Sequence, residues 1–154
     1  DNDYITIEKS NPSCIDHFTI EIKINNNVVE DIRFDGEACA ISTSALSISI
    51  SKLIGKTKEE ALSIIDNYNK MILNEEYDSS LLEELNIYKD ISKQPARVKC
   101  ATIGINGIKD ILEKNKFLLN LLNKKENNII FSFFNLLTYF FVINPLQKYF
   151  FCHL

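Results

Sequence analysis

Residues 34–44 read FDGEACAISTS, and within them the spacing of apolar side chains changes from the period of a strand to that of a helix. Before this segment, apolar and polar residues alternate over 18–24, which is typical of a strand with one buried face. After it, Ile41, Ala45 and Ile48 recur at helical spacing and are predicted to form one buried stripe. The segment therefore predicts a sheet followed directly by helices, which is an α+β chain.

The sequence before residue 34 predicts a small antiparallel sheet of about three strands. Residues 25–27 are all asparagine, which tolerates positive φ, and they separate residues 18–24 from a returning strand over residues 28–34. Residues 4–8 are predicted to add another strand.

The sequence after residue 44 carries several signals for helix ends. Gly55 is placed to cap the first helix, and Thr57 with Glu60 three residues later resembles a capping box that starts the second. A short third helix is predicted over residues 80–88. Pro95 stands where the first position of a last helix is expected, and apolar residues follow it at helical spacing.

The composition of the 154 residues changes at about residue 115. Residues 115–154 hold eight of the ten phenylalanines and a net charge of +3; the whole chain is at -4, which leaves -7 for residues 1–114. We predict a domain over 1–114 and a Phe-rich apolar extension of unknown role over 115–154. Contact with a membrane through the extension is an alternative, although its apolar run over 129–143 is shorter than the roughly 20 residues of a span. The acidic domain predicts no nucleic-acid partner, because that affinity comes from clustered Lys and Arg.

Three of the four cysteines lie at junctions between predicted elements, and such junctions can meet at one end of a sheet. These are Cys14, Cys39 and Cys100. Asp16 lies two residues from Cys14, so on an extended segment both side chains point the same way. Three sulfurs and one carboxylate oxygen form a set suited to Zn²⁺. The spacing alone matches no compact zinc motif, so buried free cysteines remain an alternative.

Other residues near these cysteines admit several interpretations. Arg97 and Lys99 flank Cys100 and can favour its thiolate form. His17 is a candidate base for a cysteine nucleophile, but an exposed strand histidine is the preferred interpretation. A G-x-x-G within residues 102–108 leaves a KH-like RNA-binding module as a remote alternative. A purely structural zinc module is a further alternative.

Longer segments around the cysteines resemble a known family. Residues 11–16 read NPSCID, residues 95–102 read PARVKCAT, and residues 34–44 lie between them. Together they resemble the SufU branch of the IscU/NifU N-terminal superfamily, over about residues 4–114. The branch is chosen from Lys99, where IscU proteins have histidine, and from an insert ahead of the last cysteine.

The resemblance implies a fold, a metal site and partners. It implies a small antiparallel sheet packed against helices, and a zinc ion held by Cys14, Asp16, Cys39 and Cys100. A SufS-type PLP cysteine desulfurase is the implied partner, with Cys14 as sulfur acceptor, Arg97 in a supporting role and downstream Suf scaffold proteins as further partners. The alternative is a scaffold that assembles a [2Fe–2S] cluster on the same cysteines.

The expected location is the cytoplasm, because the beginning of the sequence shows no charged region followed by an apolar run and a cleavage site. An organelle is the alternative, since the chain begins without methionine. The chain also departs from the family pattern, because the usual N-terminal helical segment is missing and the Phe-rich extension is added.

Overall fold

The sheet in this computed structural model has the predicted antiparallel form. Residues 3–114 are described, and the extension over 115–154 lies outside the described residues. Strands β1 (Tyr4–Ser10), β2 (His17–Asn25) and β3 (Val28–Glu37) are ordered β1-β2-β3, so each strand lies beside the next one in sequence. Both outer strands run further than predicted, β1 to Ser10 and β3 to Glu37, and this brings the sheet to the segments that carry the cysteines.

The turn between β2 and β3 follows from its asparagines. Asn26 and Asn27 have φ of 47° and 67°, and the flanking Asn25 and Val28 are paired. Two central residues at positive φ form the turn type whose twist matches that of the strands it joins. The asparagine run thus forms the hairpin turn, as the sequence predicted, and the strand register shifts between Lys23 and Ile24.

The helices begin immediately after β3. Helix α1 is Ala40–Leu53, α2 is Lys58–Ile72, and α3 covers residues 95–114, beginning at Pro95 as predicted. The capping box of α2 is confirmed, since the Thr57 side chain accepts from the Glu60 N–H and the Glu60 side chain accepts from the Thr57 N–H. Within residues 3–114, no helix is long and apolar enough to cross a membrane.

The predicted short third helix is wrong in type and in length. The chain there forms two 3-10 segments, Ser79–Leu81 and Glu83–Lys93, rather than one helix over 80–88. Glu83 has a φ of 45°, and the Asn86 side chain donates to the backbone oxygens of Ser79 and Glu83. A side chain that bonds the backbone in this way competes with the α-helical pattern.

The core lies between one face of the sheet and the helices. Phe18, Ile20 and Ile22 are fully buried on β2, and the Phe18 ring meets Phe34 of β3 edge to face at 5.7 Å. The predicted stripe of α1 is confirmed in part, since Ala45 is buried and Ile41 and Ile48 are partly buried against the core. The residues of α1 that are buried are Ser42, Ala45, Leu46, Ser49 and Leu53.

Two buried serines widen the buried face of α1 beyond its apolar stripe. The Ser49 hydroxyl donates to the Ala45 carbonyl at 2.7 Å, so it is buried with a partner. Ser42 faces the cysteines, as described below. A reading based on apolar spacing misses small polar residues whose hydrogen bonds allow burial.

The glycines of α3 allow close packing between helices and sheet. A Cβ on Gly104 would lie 2.9 Å from Leu46 of α1, and one on Gly107 would lie 2.7 Å from Cδ1 of Ile20. Glycine lowers the stability of a helix, but at these two positions it allows α3 to approach α1 and β2 more closely. This approach positions Cys100, which lies one turn before Gly104.

Gly36 allows β3 to pass close to β2 just before Cys39. Its φ is 138°, and a Cβ at this position would lie 2.0 Å from the carbonyl oxygen of His17. Gly55 also has positive φ, at 80°, but a Cβ there would meet nothing within 4 Å. A substitution at Gly55 would therefore add backbone strain alone, whereas one at Gly36 would add both strain and a steric clash.

We expect Gly36→Ala to lower the free energy of unfolding by about 3 kcal/mol or more, because it adds a clash with backbone to the strain of positive φ. Gly55→Ala, the matched control, should cost about 1 kcal/mol, since it adds strain alone. Urea denaturation of the chelator-treated proteins measures both. Equal losses for the two variants would contradict the clash.

Candidate metal centre

The cysteines and the aspartate predicted as ligands converge at one end of the sheet. One ligand atom from each of Cys14, Asp16, Cys39 and Cys100 can be chosen so that all lie within 4.8 Å of one another. Cys14 lies in the loop before β2, Asp16 directly precedes β2, Cys39 directly precedes α1, and Cys100 lies in α3. The predicted convergence is confirmed, and spacing alone did not establish it.

The loop that carries Cys14 is folded around Asn11, which is buried. The Asn11 N–H donates to the Asp16 carbonyl at 2.9 Å, and the Cys14 N–H donates to the Asn11 carbonyl at 3.0 Å. The Asn11 side-chain oxygen accepts from the Ser13 N–H at 3.2 Å. Sequence reasoning gave Asn11 no role, although an asparagine that bonds the backbone two residues later is a known turn signal. These bonds return Cys14 to the end of the sheet.

Asp16 joins the sheet to the first helix. Its side chain is buried, and Oδ1 accepts from the Cys39 N–H at 2.8 Å, at the N-terminus of α1. Although burial alone would raise it, the pKa of Asp16 falls to about 2, because the hydrogen bond from the Cys39 N–H and the nearby polar groups of Ser42 and Cys100 outweigh burial. Asp16 is therefore a carboxylate at neutral pH. Its Oδ2 is buried with no hydrogen-bond partner, which leaves one oxygen available to a cation.

Ser42 is a residue of the site that sequence reasoning missed. Its hydroxyl oxygen lies 3.4 Å from Cys39 Sγ, in the first turn of α1. Burial would raise the pKa of Cys39, but hydrogen bonds from the Ser42 hydroxyl and N–H, and from Cys100, lower it overall. The position of Ser42, three residues after a cysteine at a helix start, was the available signal, since both side chains lie on one face.

The pKa of Cys100 shifts in the opposite direction from that of Cys39. Burial, together with the neighbouring Asp16 and Cys39, raises the pKa of Cys100 to about 12. The acceptors of this site therefore cannot all carry negative charge together unless a cation is added. Three sulfurs, one carboxylate and an unpartnered buried oxygen fit a four-coordinate divalent ion such as Zn²⁺.

The basic residues beside Cys100 and the histidine beside Asp16 lie at the edge of this group. Arg97 and Lys99 are exposed, and no carboxylate among residues 3–114 lies within ion-pair distance of either side chain. Burial and the neighbouring acceptors, rather than these cations, dominate the pKa of Cys100. His17 is exposed and paired with Glu37 across the strands, which confirms the interpretation as a strand histidine. Cys152 and His153 lie outside the described residues.

Known proteins with similar sequences share this region. The family model of the NifU-like N-terminal domain matches residues 1–102. The zinc-dependent sulfurtransferase SufU of Bacillus subtilis is 38% identical over 104 residues, covering 67% of this chain and 71% of SufU. The iron–sulfur cluster assembly scaffold protein IscU of Thermotoga maritima is 36% identical over 107 residues, covering 70% of this chain and 75% of IscU. These identities are too close to choose between the two branches.

Solved structures show the same α+β fold. The SufU protein of Fervidobacterium islandicum AW-1, assigned as a cluster assembly scaffold for the SUF system, has a TM-score of 0.68 at 33% identity and covers 70% of this chain and 79% of its own. A NifU-like N-terminal protein of Brucella abortus has a TM-score of 0.63 at 19% identity, covering 69% and 74%, and shows the fold alone. The chain therefore belongs to the NifU-like N-terminal domain family, alongside SufU and IscU proteins.

Proposed function

We propose that this protein acts in iron–sulfur cluster assembly as a zinc-dependent sulfur acceptor for a SufS-type PLP cysteine desulfurase. The observation that carries the proposal is the group of three cysteines and Asp16, with ligand atoms within 4.8 Å and a buried carboxylate oxygen lacking a partner. The 38% identity to a zinc-dependent sulfurtransferase supports zinc and sulfur transfer together. Downstream Suf scaffold proteins would receive the sulfur.

The residues that would hold zinc are Cys14, Asp16, Cys39 and Cys100. A bound divalent ion would supply the positive charge that allows all three sulfurs to be thiolates, including the buried Cys100. Asp16 uses one oxygen to fix the Cys39 backbone and leaves the other for the ion. Ser42 holds Cys39 from within α1.

Cys14 is the acceptor in this proposal because it lies on a loop rather than in a helix or a strand. Cys14 is partly exposed, whereas Cys100 is buried in α3. The Cys14 thiolate attacks the outer sulfur of the partner's cysteine persulfide, and a new S–S bond forms on Cys14. The bond between that outer sulfur and the partner's cysteine breaks, and the partner leaves as a thiolate. The result is a persulfide on Cys14 with no net oxidation.

Arg97 and Lys99 support the approach of the partner. Both are exposed cations within the first two turns of α3, beside Cys100. They form a local positive region on a domain whose net charge is -7. Such a region attracts acidic groups and the negative charge of a persulfide, which raises the rate of encounter.

A scaffold function is the second candidate, favoured by the 36% identity to IscU of Thermotoga maritima. In this function Cys14, Cys39 and Cys100 hold a [2Fe–2S] cluster as cargo, since thiolates bind both zinc and iron–sulfur clusters. The same geometry serves either function, so the two are separated by chemistry. Iron and sulfide content after reconstitution, compared with desulfurase stimulation, distinguishes them.

The purified chain of residues 1–154 is expected to contain one zinc ion. Cys100→Ser should weaken zinc binding at least about 10-fold, because it removes a buried thiolate ligand. Elemental analysis and competition with a chromophoric chelator measure the content and the affinity. Cys152→Ser is the matched control, since it removes a thiol outside the described site and should retain zinc. Zinc loss in both variants, or in neither, would contradict the assignment.

Stimulation of a SufS-type desulfurase is expected with the wild-type protein and is expected to be lost in Cys14→Ser. The reason is that serine cannot accept the outer sulfur of a persulfide. Alanine production measures turnover, and peptide mass spectrometry of the trapped protein locates the added sulfur atom. Arg97→Ala should reduce stimulation most at low desulfurase concentration, because it weakens encounter.

Two results would count against this mechanism. A persulfide found on Cys39 in the wild-type protein would move the acceptor role away from Cys14. Absence of stimulation together with a stoichiometric, transferable cluster after reconstitution would favour the scaffold function. Cys152→Ser again serves as the control and should stimulate as the wild type does.

A further inference from the structure

One partly buried tyrosine hydroxyl bonds to α1, which begins directly after Cys39, and one buried tyrosine hydroxyl bonds to α3, which carries Cys100. One belongs to the 3-10 segment Glu83–Lys93 and the other to α2, and both approach from the core side. Neither residue belongs to the ligand group.

Tyr88 acts on the start of α1 through a serine. Its hydroxyl donates to Ser44 Oγ at 2.7 Å, and the Ser44 hydroxyl donates to the Ala40 carbonyl at 2.7 Å. Two hydroxyls in series polarise one another, so the chain of bonds is stronger than its separate members. The series ends on the residue that directly follows Cys39.

Tyr68 acts on α3 without an intermediate. Its hydroxyl donates to the Ala101 carbonyl at 3.0 Å in a buried position. Burial raises the pKa of Tyr68 far above its usual value, and Tyr88 raises it further, so the hydroxyl stays protonated as a donor. This bond ends on the residue that directly follows Cys100.

The two tyrosines also contact each other. Their rings meet edge to face, with centroids 6.2 Å apart, which is a favoured geometry for aromatic pairs. The pair therefore forms one rigid unit that links the 3-10 segment, α2, and the backbone behind both cysteines.

We propose that Tyr88 and Tyr68 are positioning residues for the metal centre, setting the separation of Cys39 and Cys100 through Ser44 and the Ala101 carbonyl. The proposal rests on the metal site of the proposed function but not on its sulfur chemistry. In this proposal the segment between α2 and α3 supports the backbone that follows Cys39. Groups hydrogen-bonded directly to metal ligands commonly change affinity 10-fold to 100-fold when they are removed, and the tyrosines, which bond one step further away, are expected at the low end of that range.

The test uses zinc and cobalt as probes of the chain of residues 1–154. Tyr88→Phe and Tyr68→Phe keep the rings and remove only the hydroxyls. Each should weaken zinc binding about 10-fold in chelator competition and shift the visible absorption of bound Co²⁺, since the ligand geometry relaxes. In a Ser44→Ala background, Tyr88→Phe should have no further effect, because its path to α1 is already broken.

Tyr4→Phe is the matched control. Tyr4 donates to Asp31 at 2.7 Å, a bond as short as that of Tyr88, but it pairs with Lys23 at the opposite end of the sheet, about 20 Å along the strand from the cysteines. This variant should leave zinc affinity and the Co²⁺ spectrum unchanged even where urea denaturation shows a similar loss of stability. That contrast separates positioning from general stabilisation.

If Tyr88→Phe and Tyr68→Phe bind zinc as tightly as the wild-type protein does, the positioning role is overturned, but the metal site is not. An effect of Tyr88→Phe that persists in full in the Ser44→Ala background would overturn the path through Ser44. A wild-type protein that binds neither zinc nor cobalt would overturn the metal site itself, and the positioning role with it.

Discussion

The hydrogen bond from the Cys39 N–H to Asp16 Oδ1 is the interaction on which the site depends. It joins the start of β2 to the start of α1 inside the protein, where a carboxylate is unfavourable unless it is bonded. A negative group at a helix N-terminus is stabilised by the helix dipole, so the same bond stabilises both the helix start and the charge. Because only one carboxylate oxygen is bonded to the backbone, the second, buried oxygen remains without a hydrogen-bond partner beside the cysteines.

That arrangement creates a charge problem which the fold alone does not solve. Asp16 is ionised, the Ser42 and Cys100 hydrogen bonds favour a thiolate at Cys39, and burial disfavours one at Cys100. Without a cation, the group is most stable with a proton kept on one sulfur. A divalent ion replaces that proton, so metal binding and proton release are coupled, and the affinity for metal should rise with pH. The preorganised backbone around Asp16 limits the cost of assembling the ligands.

Much of this fold could be predicted from the sequence, because strand alternation, the asparagine turn, the capping box of Thr57 and Pro95 are local signals. The buried face of α1 was predicted only in part because Ser49 is buried by a hydrogen bond rather than by apolarity, and the 3-10 segments were missed because Glu83 adopts positive φ. The cysteines could be placed at junctions that can meet, but their assignment as one ligand set came from a family resemblance and not from spacing. Their supports, including Asn11 and Ser42, depend on contacts between distant segments that periodicity does not encode.

Three ligands of the site are held by regular structure and one lies on a loop, and this difference bears on both candidate functions. Asp16, Cys39 and Cys100 are held by regular elements and by buried hydrogen bonds, whereas Cys14 lies on a short loop. A sulfur acceptor must free one thiolate, and a scaffold must release its cargo, so each needs one ligand that exchanges while the others stay in place. One geometry therefore suits both activities, in keeping with similar identities to SufU and IscU. We expect the difference between them to lie in what approaches the Cys14 loop, where Arg97 and Lys99 are exposed, rather than in the ligands themselves.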